Sequence, residues 1–324
     1  MTSTSHRPQS KSMSKSKSTT KSKSTSKTFL AFAIIYLVWG STYLAISIGV
    51  REVPPFLLAA IRFFTAGLVL FLWSLARGEQ SPTARQWKSI SLIATLIFVI
   101  DYGLLFWAEQ RVPSGMAAVV TAIIPALMTI SEILILKTQK LTLRLATSLF
   151  IGLAGVAILM SRSILMSRTL NLGGAPIDAF GAIALIIASI GWAVASSLLR
   201  KLPLPASKVV SSASQMLAGG FFLFITAAAL GEFHNFHPAN VSREAWLSLL
   251  YLIIFGSIIA FTAYVWLIHH ESPTKVSTYA YVNPVVAVLL GYFLAHEPLG
   301  LRTILGSALI LASVIVITTT PKPA

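Results

Sequence analysis

PFLLAAIRFFTAGLVLFLWSLA, residues 55–76, carries one charge, Arg62, in a stretch that is otherwise almost wholly apolar. A helix crosses the roughly 30 Å hydrocarbon core of a bilayer with about 20 mostly apolar residues, because lipid offers no partner to unpaired backbone groups. The stretch therefore predicts a spanning helix. Further stretches of the same character lie near 29–49, 87–108, 113–136, 141–161, 177–199, 208–230, 246–268, 274–295 and 301–320, with short connections between them. The chain reads as an all-α integral membrane protein of ten transmembrane helices.

Hydrophobic residues make up 55% of the chain and charged ones 11%, where a soluble domain carries about a quarter charged. A formal charge of +15 would by itself suit a nucleic-acid partner. The positions argue against one, since the lysines and arginines crowd into the N-terminal tail and the loop junctions. Cysteine is absent, which excludes disulfides, thiolate nucleophiles and cysteine metal sites.

Residues 1–28, MTSTSHRPQSKSMSKSKSTTKSKSTSKT, hold no acid and almost nothing apolar. Such a tract buries too little surface to offset its ordering entropy, so disorder is expected. Three roles stay open: a solvated tail, a tail drawn to anionic lipid, or an organelle transit sequence, which shares the Ser-rich, acid-poor composition. The apolar stretch that follows is too long for a secretory signal and contains Trp39 and Tyr43. With the N-terminus inside, eighteen Lys and Arg fall on the cytoplasmic side and six on the other; without the tail the count is still eleven against six. The positive-inside rule then puts both termini in the cytoplasm.

The chain has weak internal symmetry. Pro125 and Pro284 sit at matching places in the fourth and ninth stretches, preceded by Trp107 and Trp266 at the same offset. Trp39 with Gly67 answers to Trp192 with Gly220, and Arg144 to Arg302. The organisation predicted is a tail at 1–28, a first five-helix repeat at 29–172 and a second at 173–324. An odd number of spans per repeat forces the two into opposite orientations, an architecture of secondary transporters with a site near the bilayer midplane.

Specific motifs sharpen this. Residues 35–43, IYLVWGSTY, followed by Pro54-Pro55 and by AAIRF at 59–63, resemble the first two spans of EamA-type permeases of the drug/metabolite transporter superfamily. WAEQRVPSGMAAVV at 107–120, leading to Pro125, resembles that family's third-to-fourth span junction, and Asn283-Pro284 with HEPL at 296–299 its second-half counterpart. The resemblance covers residues 29–320. It implies ten helices in two inverted five-helix repeats and transport of small metabolites, often outward across a bacterial inner membrane. An organelle membrane is the alternative if the tail is a transit sequence. The chain departs from the pattern at Asp101, where relatives often carry an uncharged polar residue, at Gln139, the counterpart of Glu297, and at Glu132, an extra acid in an apolar span.

A charge inside a membrane costs about 2.5 kcal/mol or more, so intramembrane ionisable groups are functional candidates. Here they are Arg62, Asp101, Glu109 and Glu132. Asp101, beside Tyr102, reads either as a proton carrier or binder of a cationic substrate group, or as the structural partner of Arg62. Arg62 in turn is that partner or a contact for a substrate carboxylate. Glu132 shares a helical stripe with Thr121, Pro125 and Thr129, suited to a cavity wall; the alternative is an end-of-helix acid that snorkels to water. Glu109 beside Arg111 suits an interfacial pair or a helix end. Ser277 and Tyr281 lie one turn apart before Asn283, and Trp39 and Tyr43 are spaced likewise, with Trp192 the second-half counterpart of Trp39. These rings, hydroxyls and the amide could grip an amphipathic solute by stacking and hydrogen bonds, or serve as interfacial anchors and packing. His269, His270 and Glu271 are adjacent, so a helix turns them about 100° apart and they make no metal face.

Nucleophile-elbow, zinc-helix and phosphate-loop motifs are missing, and neither an enzyme nor a cofactor is expected. The function predicted is a secondary transporter that exports a small metabolite or drug-like solute, such as an amino acid or related metabolite, by alternating access, with Asp101 as the candidate group for proton coupling. Alternatives are an uncoupled facilitator and a membrane sensor or enzyme. The partners expected are a small-molecule substrate, the lipid bilayer and protons, with no nucleic acid; Ala308 and Ala312 suit close helix packing without deciding between monomer and homodimer.

Overall fold

In a computed structural model of the chain, residues 13–137, 143–164, 178–234, 236–270 and 279–318 are described, and every described element is helical. The helices are α1 (Met13–Gly49), α2 (Pro55–Ala76), α3 (Ala84–Ala108), α4 (Ser114–Leu136), α5 (Leu143–Ile164), α6 (Ala179–Leu198), α7 (Lys208–Ala229), α8 (Arg243–Tyr264, continuing to His270), α9 (Tyr279–Ala295) and α10 (Leu301–Thr318). Each apolar stretch of the sequence thus carries a helix. Among the described residues, seven are long and apolar enough to cross a membrane: Ser26–Gly49 within α1, and α2, α3, α4, α6, α7 and α8; the apolar parts of α9 and α10 are shorter.

One boundary departs from expectation. Helix α1 starts at Met13, inside the tract expected to be disordered. Starting a helix is costly but lengthening one is not, so a formed Ser26–Gly49 segment can propagate backwards into lysine and serine that would not nucleate a helix alone.

The starts of six helices are of two kinds. Four are capped locally: Thr83 and Gln86 form a reciprocal capping box on α3, and Asp178, Ser207 and Ser242 accept the amide three residues on at the starts of α6, α7 and α8. Helices α2 and α4 instead begin after Pro54 and Pro113 with no local side-chain cap. Their free amides are met from far along the chain. Glu232 accepts from Leu57 at 2.8 Å and Phe56 at 3.3 Å, and Glu297 accepts from Ser114 N and Oγ at 2.8 and 2.7 Å and from Gly115 N at 3.0 Å. A carboxylate at a helix N-terminus meets both the open N–H groups and the positive end of the macrodipole.

Packing is most extensive between α2 and α7, between α5 and α10, and between α1 and α9, with α3 and α4 against α6 and α1 against α8. Helices α2 and α7 run antiparallel with their backbones touching: Gly67 backs onto Leu217 and Gly220 onto Phe64. Three helices contain wide, π-helical turns among the described residues, Thr95–Gly103 in α3, Glu132–Leu136 at the end of α4 and Leu252–Ile259 in α8. Such turns release carbonyls from the regular ladder and recur at functional sites.

Both ends of the bundle are tied across the chain. At one end lie the Glu232 and Glu297 caps, with Glu52 accepting from Ser242 N at 2.5 Å and Oγ at 2.7 Å, and Arg111 4.0 Å from Asp178. At the other, Arg200 pairs with Glu132 at 2.8 Å and Lys201 Nζ donates to the Ile135 carbonyl.

The Glu52 contact has a pH signature. Its carboxyl is held below its ordinary value of 4.5 by the Ser242 amide first and the hydroxyl second. A lowered folded-state value means stability that is present above pH 4.5 and lost as the pH falls through the lower folded value. The melting temperature should therefore drop on acidification in that window, and Glu52→Gln should flatten that part of the profile. An unchanged profile in the variant would show that the contact is not held in solution.

Candidate functional site

Arg62 sits on α2 at 2% exposure. Its Nε donates to Ser257 Oγ at 3.0 Å, on the π-helical turn of α8. The guanidinium lies 4.6 Å from the Phe63 ring, 5.5 Å from Tyr102 and 5.9 Å from Phe106, a cation–π setting. Its Nη1 is buried without a hydrogen-bond partner.

Asp101, at 5% exposure, stands on the π-helical turn of α3. The ion pair weighed for Arg62 and Asp101 is not formed: no oxygen of Asp101 comes within 4.0 Å of the guanidinium. Ser257 and the three rings fix Arg62 elsewhere. The Asp101 side chain makes no hydrogen bond and no ion pair among the described residues. Two opposite charges are thus enclosed in one bundle and left unmatched.

Aromatic groups surround them. Tyr102 lies 4.5 Å from Phe63 and 6.1 Å from Trp192 of α6. Trp39 of α1 packs at 5.1 Å on Tyr264 of α8 and 5.2 Å on Tyr279 of α9, and its indole donates to the Gly256 carbonyl at 3.1 Å. Tyr43 does not extend that stack; its hydroxyl bonds Thr121 of α4 at 2.8 Å. Tyr43, Tyr102, Tyr279 and Asp101 lie within electrostatic reach of one another. Helices α1, α3, α4, α6, α8 and α9 each contribute a ring or hydroxyl, and α2 contributes the cation.

Other candidates fall apart from this centre. Asn283 is buried in α9; with its amide turned so that the nitrogen donates, it reaches the Tyr279 and Tyr36 carbonyls at 3.2 and 3.3 Å, an arrangement that would brace α9 against α1. Glu132 ends its stripe in the pair with Arg200, eleven residues and about 16 Å along the helix from Thr121, so the helix-end reading fits it better than the cavity wall. Glu109 is 6% exposed with both oxygens buried and unbonded, while Arg111 stacks on Trp107 at 4.0 Å and faces Asp178, so the Glu109–Arg111 pair is not made. Ser277 lies outside the described residues; of Pro125, Thr129 and Tyr281 only the backbone is described. Sequence reasoning missed Tyr264, Tyr279, Phe63 and Ser257. Only Tyr279, one turn before Asn283, lay within reach of the spacing argument.

The sequence profile of the EamA-like transporter family matches residues 26–161 and again 179–319. The chain belongs to the EamA-like transporter family. An uncharacterized inner membrane transporter of Escherichia coli K12, YedA, is 39% identical over 292 residues, covering 90% of each chain. An uncharacterized transporter of Archaeoglobus fulgidus is 27% identical over 89% of this chain and 96% of its own. Protein PecM of Dickeya dadantii is 25% identical over 86% and 88%. A solved crystal structure shares the fold at a TM-score of 0.58 and 22% identity, covering 90% of this chain and 97% of that one. Membership makes this EamA-family chain a membrane transporter.

Proposed function

We propose that the protein is a secondary transporter of the bacterial inner membrane that exports a small metabolite by alternating access, with proton coupling through Asp101. The observation that carries this is the pair of buried charges, Arg62 and Asp101, that make no ion pair and lie among rings and hydroxyls from five other helices. A buried, unpaired charge is too costly to keep for packing alone, and alternating access gives each a use. Arg62 takes a carboxylate of the solute, the aromatic groups take its apolar body, and Asp101 holds a proton or a cationic group. The name of YedA supports the location, and the Lys and Arg distribution supports cytoplasmic termini.

Repeats at 29–172 and 173–324 supply the moving parts. Exchanging the first five helices for the second five leaves the main packing pairs unchanged: α2 with α7 and α5 with α10 swap with themselves, and α1 with α9 becomes α6 with α4. The π-helical turns within α3 and α8 also answer to each other, while the one that ends α4 has no counterpart in the described part of α9. Such symmetry supports halves that rock about a shared centre.

Uptake and counterflow in proteoliposomes, screened with a mixed metabolite pool with and without a pH gradient, test the reading. Flux should rise with the gradient in the parent, and Asp101→Asn should abolish that response. Gradient-independent flux in both would make the protein a facilitator with a structural Asp101.

A further inference from the structure

Glu109 closes α3 at the end of the bundle that holds the Glu52, Glu232 and Glu297 contacts. Both its oxygens are buried without a hydrogen-bond partner. The groups facing it come from three directions: Tyr43 and Ser47 from α1, Arg62 from α2 and Glu297 from the connection between α9 and α10. On its own segment Arg111 is turned away onto Trp107 and toward Asp178, and Asp101 lies two turns further in. Arg62, held by Ser257, makes no ion pair with Glu109.

Glu297, by contrast, is fully engaged, and its three bonds hold the start of α4 to the second half of the chain. It lies beside Gly291, close enough that a Cβ there would sit 2.4 Å from Oε2. A three-donor clamp of this kind is strongest on a carboxylate.

These two acids make opposite demands. A charged Glu109 in the arrangement seen would be a buried carboxylate with neither oxygen hydrogen-bonded, and burial opposes that first; the like charge of Glu297 adds to the opposition, and Arg62 with the Ser47 backbone offsets part of it. The closed arrangement thus favours a neutral Glu109 beside the engaged Glu297 clamp. We propose that Glu109 is the proton site of a gate at this end, with Glu297 as the latch. When external water supplies a proton to one Glu109 oxygen, forming its O–H, the latch closes on Ser114 and Gly115. When that proton leaves, the carboxylate repels Glu297 and demands water, and this end opens. The inference rests on the alternating-access reading and assigns the gating proton to a residue other than Asp101.

The chain contains no cysteine, so paired spin labels can be placed without a background. Labels at Arg51→Cys and Leu301→Cys, both exposed and in opposite halves, report the separation across this end in lipid nanodiscs, with no substrate needed. From acidic to mildly alkaline buffer, the parent should pass from short to long distances, with a limiting slope of about tenfold in the population ratio per pH unit for one proton. Glu109→Gln should stay short throughout, Glu109→Asp should restore a pH response, and Glu297→Ala should be long at every pH. A Glu109→Gln protein with the parent's pH response overturns the Glu109 assignment while leaving alternating access standing. Distances fixed in the parent but lengthened in Glu297→Ala do the same. Distances fixed in every variant overturn both readings.

Discussion

Replacing Arg62 with methionine is expected to abolish solute flux while leaving the protein as heat-stable as the parent or more so. A structural arginine would behave in the opposite way. The guanidinium is buried, its Nη1 has no partner, and no carboxylate lies within ion-pair distance. Its favourable contacts are Ser257 at 3.0 Å and the ring of Phe63 at 4.6 Å. Losing those costs on the order of 1–2 kcal/mol in all. Exchanging a buried charge for an apolar side chain of similar length recovers as much or more, since such exchanges are neutral or stabilising by about 1–4 kcal/mol. Transport gains nothing in return, because methionine cannot bind a carboxylate, and a site built for a polar partner typically loses about 10⁴-fold or more when that contact is removed. Melting in detergent alongside proteoliposome flux checks both halves. Retained flux would remove Arg62 from the substrate site; a large fall in melting temperature would make it a structural residue.

The second large effect is on folding. Gly220→Ala should sharply lower the yield of monodisperse protein, and Gly67→Ala should do the same. A Cβ at Gly220 would stand 2.4 Å from Phe64 N and 2.6 Å from Phe64 Cα; one at Gly67 would stand 2.5 Å from Leu217 N. The obstructing atoms are backbone, so no rotamer change relieves them. Small residues let membrane helices approach this closely, and forcing α2 and α7 apart costs about 3 kcal/mol or more by analogy with overpacked cores. Since α2 and α7 form the most extensive contact in the bundle, the loss would spread to the Arg62 and Asp101 centre on either side. Size-exclusion profiles with thermal melts measure it, and a Gly220→Ala protein with parental stability would rule out the close crossing.

Much of this was legible in the chain. Apolar runs such as 55–76 placed the helices, because lipid leaves a spanning backbone no alternative to internal hydrogen bonds. Thr83, Asp178, Ser207 and Ser242 could be read as helix starts, since a local cap depends on residues two or three apart. The matching of Gly67 with Gly220 was visible too, although not that each touches the partner helix. Legibility ended where partners are distant in sequence. Pro54 and Pro113 announced helix starts, but the carboxylates that complete them, Glu232 and Glu297, lie 175 and 183 residues away from Leu57 and Ser114. Hydropathy could not separate Arg62 paired with Asp101 from Arg62 unpaired, since both cost the same in composition.

The sequence by itself determined that the chain is a helical membrane protein, where its helices lie, and to which family it belongs. Those properties follow from periodicity, length and local motifs, which a linear text carries. The tertiary structure alone decided which charges meet. It left Arg62 and Asp101 apart, paired Glu132 with Arg200, buried Glu109 unbonded and engaged Glu297 across the halves. The physical reason is that an electrostatic contact is set by distances of a few ångströms between helices, and no spacing along one helix encodes them.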